Sequence, residues 1–406
     1  MNKKERGSFT GGIGFVLAAA GSAVGLGNLW RFPYLAAQYG GGIFILVYII
    51  LALTFGFTLM TTEIAIGRKT KLSPTRAYSE VNKKFGFIGP IAFIIPVIIL
   101  PYYCVIGGWV TKYVTVFATG QNIAAADDSF FGSFVSQEWS PLVFFIIFLG
   151  LTSLIVILGV EKGIEKVSKF LMPVLIVLAI VICIYVITIP GSSEGIKYYL
   201  LPYFSKFSFK TVCAAMGQMF PAVYIFSGEA GTQASGAGLM FVTLPKVFGQ
   251  MTAGRIIGFL FFALVFFAAL TSSVSVMEAI TSMIMDRFGI SRIKACVGII
   301  IFSVLLGIPC SLGNGVWADI TILGMDFLTF CDFISNSLLL PVVAFLTCIL
   351  IGWFAKPEYV INEATKNGET FKRELIYRVM VKYIAPVLLL IILIFYTLAQ
   401  FGVISY

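Results

Sequence analysis

Apolar residues run along this chain in long unbroken blocks. They follow neither the alternation of half-buried strands nor the three-and-four spacing of soluble amphipathic helices. Blocks long enough to cross a bilayer lie at 13–37, 41–66, 87–118, 141–160, 167–190, 254–283, 295–312, 324–354 and 383–403, and predict nine full spans. The polar segments between them carry the charge. With the N-terminus (Lys3, Lys4, Arg6) on the cytoplasmic side, segments 68–84, 162–169, 287–294 and 356–382 add 18 Lys and Arg, so 21 of the 28 lie inside. That is the asymmetry expected of inner loops. Segment 119–140 holds Asp127, Asp128 and Glu138 but no Lys or Arg, and reads as an outer loop. The first block has no small-residue cleavage site and continues as a span, so no cleaved signal is expected.

Two interruptions of the apolar pattern stand out. Within the first block, Gly21-Ser22-Ala23-Val24-Gly25-Leu26-Gly27-Asn28-Leu29-Trp30-Arg31-Phe32-Pro33 places three glycines in seven residues, which predicts a broken helix. Unpaired backbone at membrane depth is tolerated where it lines a cavity or binds something. Loosened carbonyls can hold a cation, and a half-helix N-terminus can hold an anion. The second interruption is Thr271-Ser272-Ser273, mid-span after the apolar run Phe259–Leu270. Such a hydroxyl pair, taken alone, satisfies itself by bonding one turn back or by packing between helices. Opposite a broken helix, two hydroxyls and three carbonyls make a five-oxygen cage without a carboxylate. That donor set suits a monovalent hard cation better than Ca²⁺ or Mg²⁺.

Composition agrees with this class: 59% hydrophobic residues, 12% charged and a mean hydropathy of +0.98 over 406 residues mark a polytopic helical membrane protein. The net charge of +9 is spread between spans and forms no basic face, which argues against a nucleic-acid partner. There is no His, so His metal sites and His acid–base chemistry are excluded. Seven cysteines (Cys104, Cys183, Cys213, Cys296, Cys310, Cys331, Cys348) lie in apolar segments without CxxC spacing and read as small core residues. No Walker, kinase or GxSxG motif appears, so no enzyme activity is predicted and any transport must draw on an ion gradient.

The stretch Gly21–Pro33, together with Gln38-Tyr39-Gly40-Gly41-Gly42, Glu63 with Gly67-Arg68, Tyr102-Tyr103 before Trp109, Gly238–Pro245 and Leu270–Ser273, resembles the neurotransmitter:sodium symporter family, in particular its bacterial amino-acid transporters. The likeness covers nearly the whole chain in order. It implies a better-supported sodium site of the Gly21, Val24 and Ala268 carbonyls with the Thr271 and Ser272 hydroxyls. A second, incomplete sodium site would use the Ala23 carbonyl and the Asn28 amide. A substrate carboxylate, held by the Leu26 and Gly27 amides and the Tyr103 hydroxyl, would touch that ion. Family members that carry decarboxylated monoamines have Asp at position 25. Gly25 therefore implies an amino acid that brings its own carboxylate, with Ser22, Ser272 and Val276 beside its side chain. The implied gates are Arg31 with Asp332 outside and Arg6 with Asp286 inside, with Phe9 in place of the family's tryptophan plug. For Arg6 and Asp286, ordinary interfacial solvation is the alternative. Glu63 is expected to be buried and to accept hydrogen bonds from the unwound backbone.

The implied fold is an all-α polytopic membrane domain, 1–406: a five-plus-five inverted-repeat transporter fold with helices one and six broken and one extra C-terminal helix. The first repeat covers about 10–190, the second about 211–354, and the extra helix 383–403. The chain departs from this plan after Phe220, which runs directly into Pro221, where the outer end of helix seven is resembled. The inner half of helix six and most of helix seven, roughly 50 residues by bilayer arithmetic, are absent. Of the family's chloride set, Tyr48 and Gln218 remain, so chloride dependence stays open. The expected function is sodium-coupled symport of a neutral, apolar or aromatic amino acid by alternating access. The alternative is a truncated, transport-incompetent member that binds sodium as a membrane sensor. Expected partners are the amino acid and the lipid bilayer, as monomer or homodimer, in the cell membrane with the C-terminus outside.

Overall fold

A computed structural model describes residues 12–25, 32–188, 191–208, 211–212, 215 and 238–400. Of the candidate site residues named above, Arg6, Phe9, Leu26, Gly27, Asn28, Arg31 and Gln218 lie outside that set, as do Phe220 and Pro221. The chain is helical, with only isolated bridges and no strands among the described residues. Numbering the helices of the expected spans in order, α1 is Gly12–Ala23 and α2 is Phe32–Gln38. Next come α3 Gly42–Thr70, α4 Ile88–Ala118, α5 Trp139–Ile157 and α6 Val160–Thr188. The last four are α7 Gly254–Phe288, α8 Arg292–Leu312, α9 Phe327–Phe354 and α10 Glu374–Phe395.

The first predicted span is thus two helices, with α1 ending at Ala23 as its glycines foretold. The other eight expected spans each coincide with one long apolar helix. The start of α9 is fixed by Asp326, whose carboxylate accepts from the Leu328 and Thr329 amides at 2.9 and 3.0 Å. The last span begins at Glu374, earlier than the expected 383. Residues 374–382 are helical too, supported by the Arg378–Glu374 pair one turn apart at 2.7 Å.

The chain divides into two compact units. One draws on Met1–Tyr34, Val97–Glu194 and Ala230–Cys331. At its centre α7 packs against α1, α5, α6 and α8. Glycine permits a close approach of two helices in this unit: a Cβ at Gly108 of α4 would lie 2.6 Å from the Phe145 amide nitrogen of α5. Trp109, Tyr113, Phe117, Phe241 and Phe262 form an aromatic cluster with ring centroids 4.9 to 6.3 Å apart. Tyr113 donates to the Phe241 carbonyl at 2.6 Å, seating the Gly238–Pro245 motif on α4.

The other unit draws on Leu35–Pro96, Gly195–Glu229 and Asp332–Tyr406. Three hydroxyls of α3 are satisfied locally. Thr54, Thr58 and Thr62 of α3 each donate to the carbonyl one turn back, and Thr62 also bonds the Tyr377 hydroxyl at 2.8 Å. The short helix Glu358–Ala364 packs on α3, with Arg68 3.6 Å from Glu363 and Lys69 3.6 Å above the Tyr359 ring. Glu363 is buried here, although composition alone placed segment 356–382 in solvent.

Candidate functional site

The site forms in the first unit, where the C-terminal end of α1 meets the middle of α7. The last carbonyls of any α-helix lack an amide one turn on, and they carry the negative end of its dipole. Near the end of α1, Val24 N–H donates to the Ala20 carbonyl at 2.9 Å. Beyond it, the carbonyls of Gly21, Ser22 and Val24 gather around the Ser272 hydroxyl at 3.4, 3.5 and 3.1 Å. A hydroxyl has one proton, so it can donate to only one of the three at a time. The acceptors are in excess, and an excess of oxygen lone pairs at one point is the donor set of a hard cation.

Thr271 behaves differently from its neighbour. Its hydroxyl donates back to the Phe267 and Ala268 carbonyls at 3.0 and 3.1 Å, the local satisfaction that a mid-helix threonine ordinarily finds. Its side chain packs against α1, the Thr271 Cβ lying 3.2 Å from a Cβ built on Gly21. The local reading thus holds for the Thr271 proton, and the inter-helix reading holds for Ser272. Gly21, Ala268, Thr271 and Ser272 are all buried.

Gly25 lies beside the cage. A Cβ there would be 3.0 Å from the Ser272 Oγ and 3.3 Å from the Tyr103 hydroxyl, so glycine keeps open a space that two hydroxyls face. Ser22 and Ala23 are exposed, while Gly25, Tyr103 and Val276 are half-buried. The structure therefore brings together Gly21, Ser22, Val24, Gly25, Tyr103, Ala268, Thr271 and Ser272. Pattern reading missed their supports. Met172 of α6 closes the far side of Gly21, its sulfur 3.1 Å from a Cβ built there. Ser273 bonds Thr152 of α5 at 2.9 Å, and both side chains are fully buried, which fixes the rotation of α7. The adjacent hydroxyls Thr152 and Ser153 in an apolar span were the available signal.

Of the gate residues within the described set, Asp332 is half-buried and accepts from the Asn336 side chain at 2.7 Å, and Asp286 is half-buried near the end of α7. Tyr48 of α3 is half-buried. Glu63 keeps accessible side-chain surface although protein surrounds it, with Tyr78 and Cys348 close by, and the unwound backbone expected to bond it lies outside the described residues. It lies three residues from the Ile66–Gly67 turn toward the charged end of α3, on the same face as exposed Met60 and Gly67.

A family model described as the sodium:neurotransmitter symporter family matches residues 6–126, 135–235 and 227–406. An uncharacterized sodium-dependent transporter of Bacillus subtilis, YhdH, is 30% identical over 450 aligned positions, covering 97% of this chain and 98% of its own length. A second uncharacterized sodium-dependent transporter, of Methanocaldococcus jannaschii, is 28% identical, covering 96% of this chain and 90% of its own length. The crystal structure of MhsT in complex with L-phenylalanine matches the fold with a TM-score of 0.82 at 30% identity, covering 98% of this chain and all of that one. The 450 aligned positions exceed the 406 residues of this chain by 44, so at least 44 face a gap in it. The second and third family matches overlap at 227–235, close to where the helical plan breaks off.

Proposed function

Because the chain belongs to the sodium:neurotransmitter symporter family, a family of transporters and not enzymes, we propose that it couples sodium entry to the uptake of a neutral, apolar or aromatic amino acid across the cell membrane. The observation that carries this reading is the crowding of three α1 carbonyls around the single Ser272 proton. Sodium, as co-substrate, relieves that excess by binding the Gly21, Val24 and Ala268 carbonyls and the Thr271 and Ser272 oxygens. The space at Gly25, faced by the Tyr103 and Ser272 hydroxyls, takes the substrate carboxylate. Ion and carboxylate share Ser272, so each favours the other, which is the physical content of coupling. The phenylalanine bound by MhsT supports an aromatic or apolar side chain, and Ser22 and Val276 offer no charge against one. The N-terminus is assigned to the cytoplasm and the C-terminus to the outside from the Lys and Arg bias.

The gap after Phe220 favours a second reading, in which the protein binds sodium but does not transport. Reconstitution into proteoliposomes separates the two. Under an inward sodium gradient, uptake of labelled phenylalanine or leucine that collapses when sodium is replaced by potassium supports symport. Sodium-dependent binding without uptake supports the sensor, and absence of both rejects the sodium site. An intact mass of 44.3 kDa on the same sample ties the result to this chain.

A further inference from the structure

The sodium cage uses one end of α1, and its other end rests on a charge to which neither the cage nor the gates assign a role. Glu165, in the π-helical first turn of α6, is only 2% exposed, which is rare for a carboxylate within an apolar helix pair. Lys169, one turn on and about half exposed, donates to its Oε1 at 2.7 Å. The carboxylate is pressed against Gly14 in the first turn of α1, so closely that a Cβ at Gly14 would overlap it. Glycine at this position is therefore a seat for the Glu165 carboxylate. Gly159, at φ +88°, turns the chain into the π-helical start of α6 and so delivers Glu165 to that seat.

We propose that Glu165 is a positioning residue for sodium binding. Seated at Gly14, it holds α1 in the register that brings the Gly21, Ser22 and Val24 carbonyls to Ser272. It also places negative charge at the positive end of a helix whose negative end faces the cation. Gly14 and Val24 are ten residues apart, about 15 Å along a helix. Over that distance and at a protein-like dielectric, one partly compensated charge changes cation affinity by roughly three- to tenfold. The inference rests on the sodium site proposed above.

Equilibrium binding of radioactive sodium to the purified full chain, without substrate, tests it. Wild type must bind saturably and lose binding in Thr271→Val plus Ser272→Ala; if it does not, the sodium site itself fails. Given wild-type binding, Glu165→Gln keeps shape and removes charge. The expected result is a sodium midpoint raised roughly three- to tenfold, with the melting temperature in sodium-free buffer unchanged, a combination that a merely structural residue does not give. Glu165→Asp is expected between the two. A Glu165→Gln midpoint equal to wild type overturns the proposal. If that variant does not fold, Gly14→Ala carries the test, since alanine favours helix yet evicts the carboxylate. It is expected to weaken sodium binding, and wild-type binding by Gly14→Ala likewise overturns the proposal.

Discussion

Two polar clusters sit on α7 six residues apart, and they solve the problem of polarity inside an apolar helix in opposite ways. Glu278 and Arg292 form a closed set. The guanidinium takes both carboxylate oxygens and also donates to the Val156 carbonyl at 3.1 Å, so each formal charge meets its opposite within the protein. Around Ser272, among the described residues, three α1 carbonyls share the reach of one hydroxyl proton and no charged side chain is bonded to it. The closed cluster is held by its own partners, and the other is the one proposed above to be completed by a cation from outside. Unbalanced polarity, more than polarity itself, marks a binding site in a membrane helix.

The contrast can be broken at either cluster. Replacing both hydroxyls, Thr271→Val plus Ser272→Ala, should lower sodium-dependent amino-acid binding roughly 100-fold or more, because each lost ligand is worth about 1.5–3 kcal/mol. Scintillation binding at fixed substrate and varied sodium reads this directly. Gly25→Asp puts a carboxylate between Ser272 and Tyr103, where the substrate carboxylate is proposed to sit. Like charges so placed cost several kcal/mol, so binding should fall at least roughly tenfold, while sodium alone still protects the protein against heat. Amino-acid binding that survives Gly25→Asp would move the carboxylate elsewhere.

At the closed cluster the effect should be on stability and not on ions. Glu278→Ala strands the Arg292 guanidinium and should destabilise the fold by about 3 kcal/mol, with the sodium midpoint of the folded fraction unchanged. A shifted sodium midpoint would mean the two clusters are not independent. The smallest effect belongs to the exposed pair Lys246–Asp128, where Lys246→Ala should stay within about 1 kcal/mol of wild type by thermal shift.

The spans were legible because hydropathy over some twenty residues is a local property, and eight apolar blocks became eight helices, most within a few residues of their expected ends and the last beginning well before its expected start. The break at Gly21–Gly25 was legible for the same reason. The cage was legible only as two halves: nothing local joins Val24 to Ser272, and the resemblance to a family joined them before the geometry did. What stayed hidden depends on contacts far apart in sequence. Glu165 reads as one charge in a basic inner loop until Gly14 is placed beside it. Glu363 reads as a solvated acid until Arg68 and the packing of Glu358–Ala364 on α3 bury it. The π-helical turns at Ala52–Gly56, Phe333–Leu339 and Leu350–Phe354 are likewise invisible, since a widened turn has the same composition as a regular one.

The single proton of Ser272 has three carbonyls within reach, with Val24 at 3.1 Å nearer than Gly21 and Ser22 at 3.4 and 3.5 Å. A cation among those carbonyls claims the oxygen's lone pairs and leaves the proton no place on the α1 side. At the proposed sodium site, ion arrival would be converted into the rotation of one O–H bond, from the helix end toward the space beside Gly25. The hydroxyl would then act as a messenger between the two proposed substrates, offering a donor to a carboxylate once the ion has come.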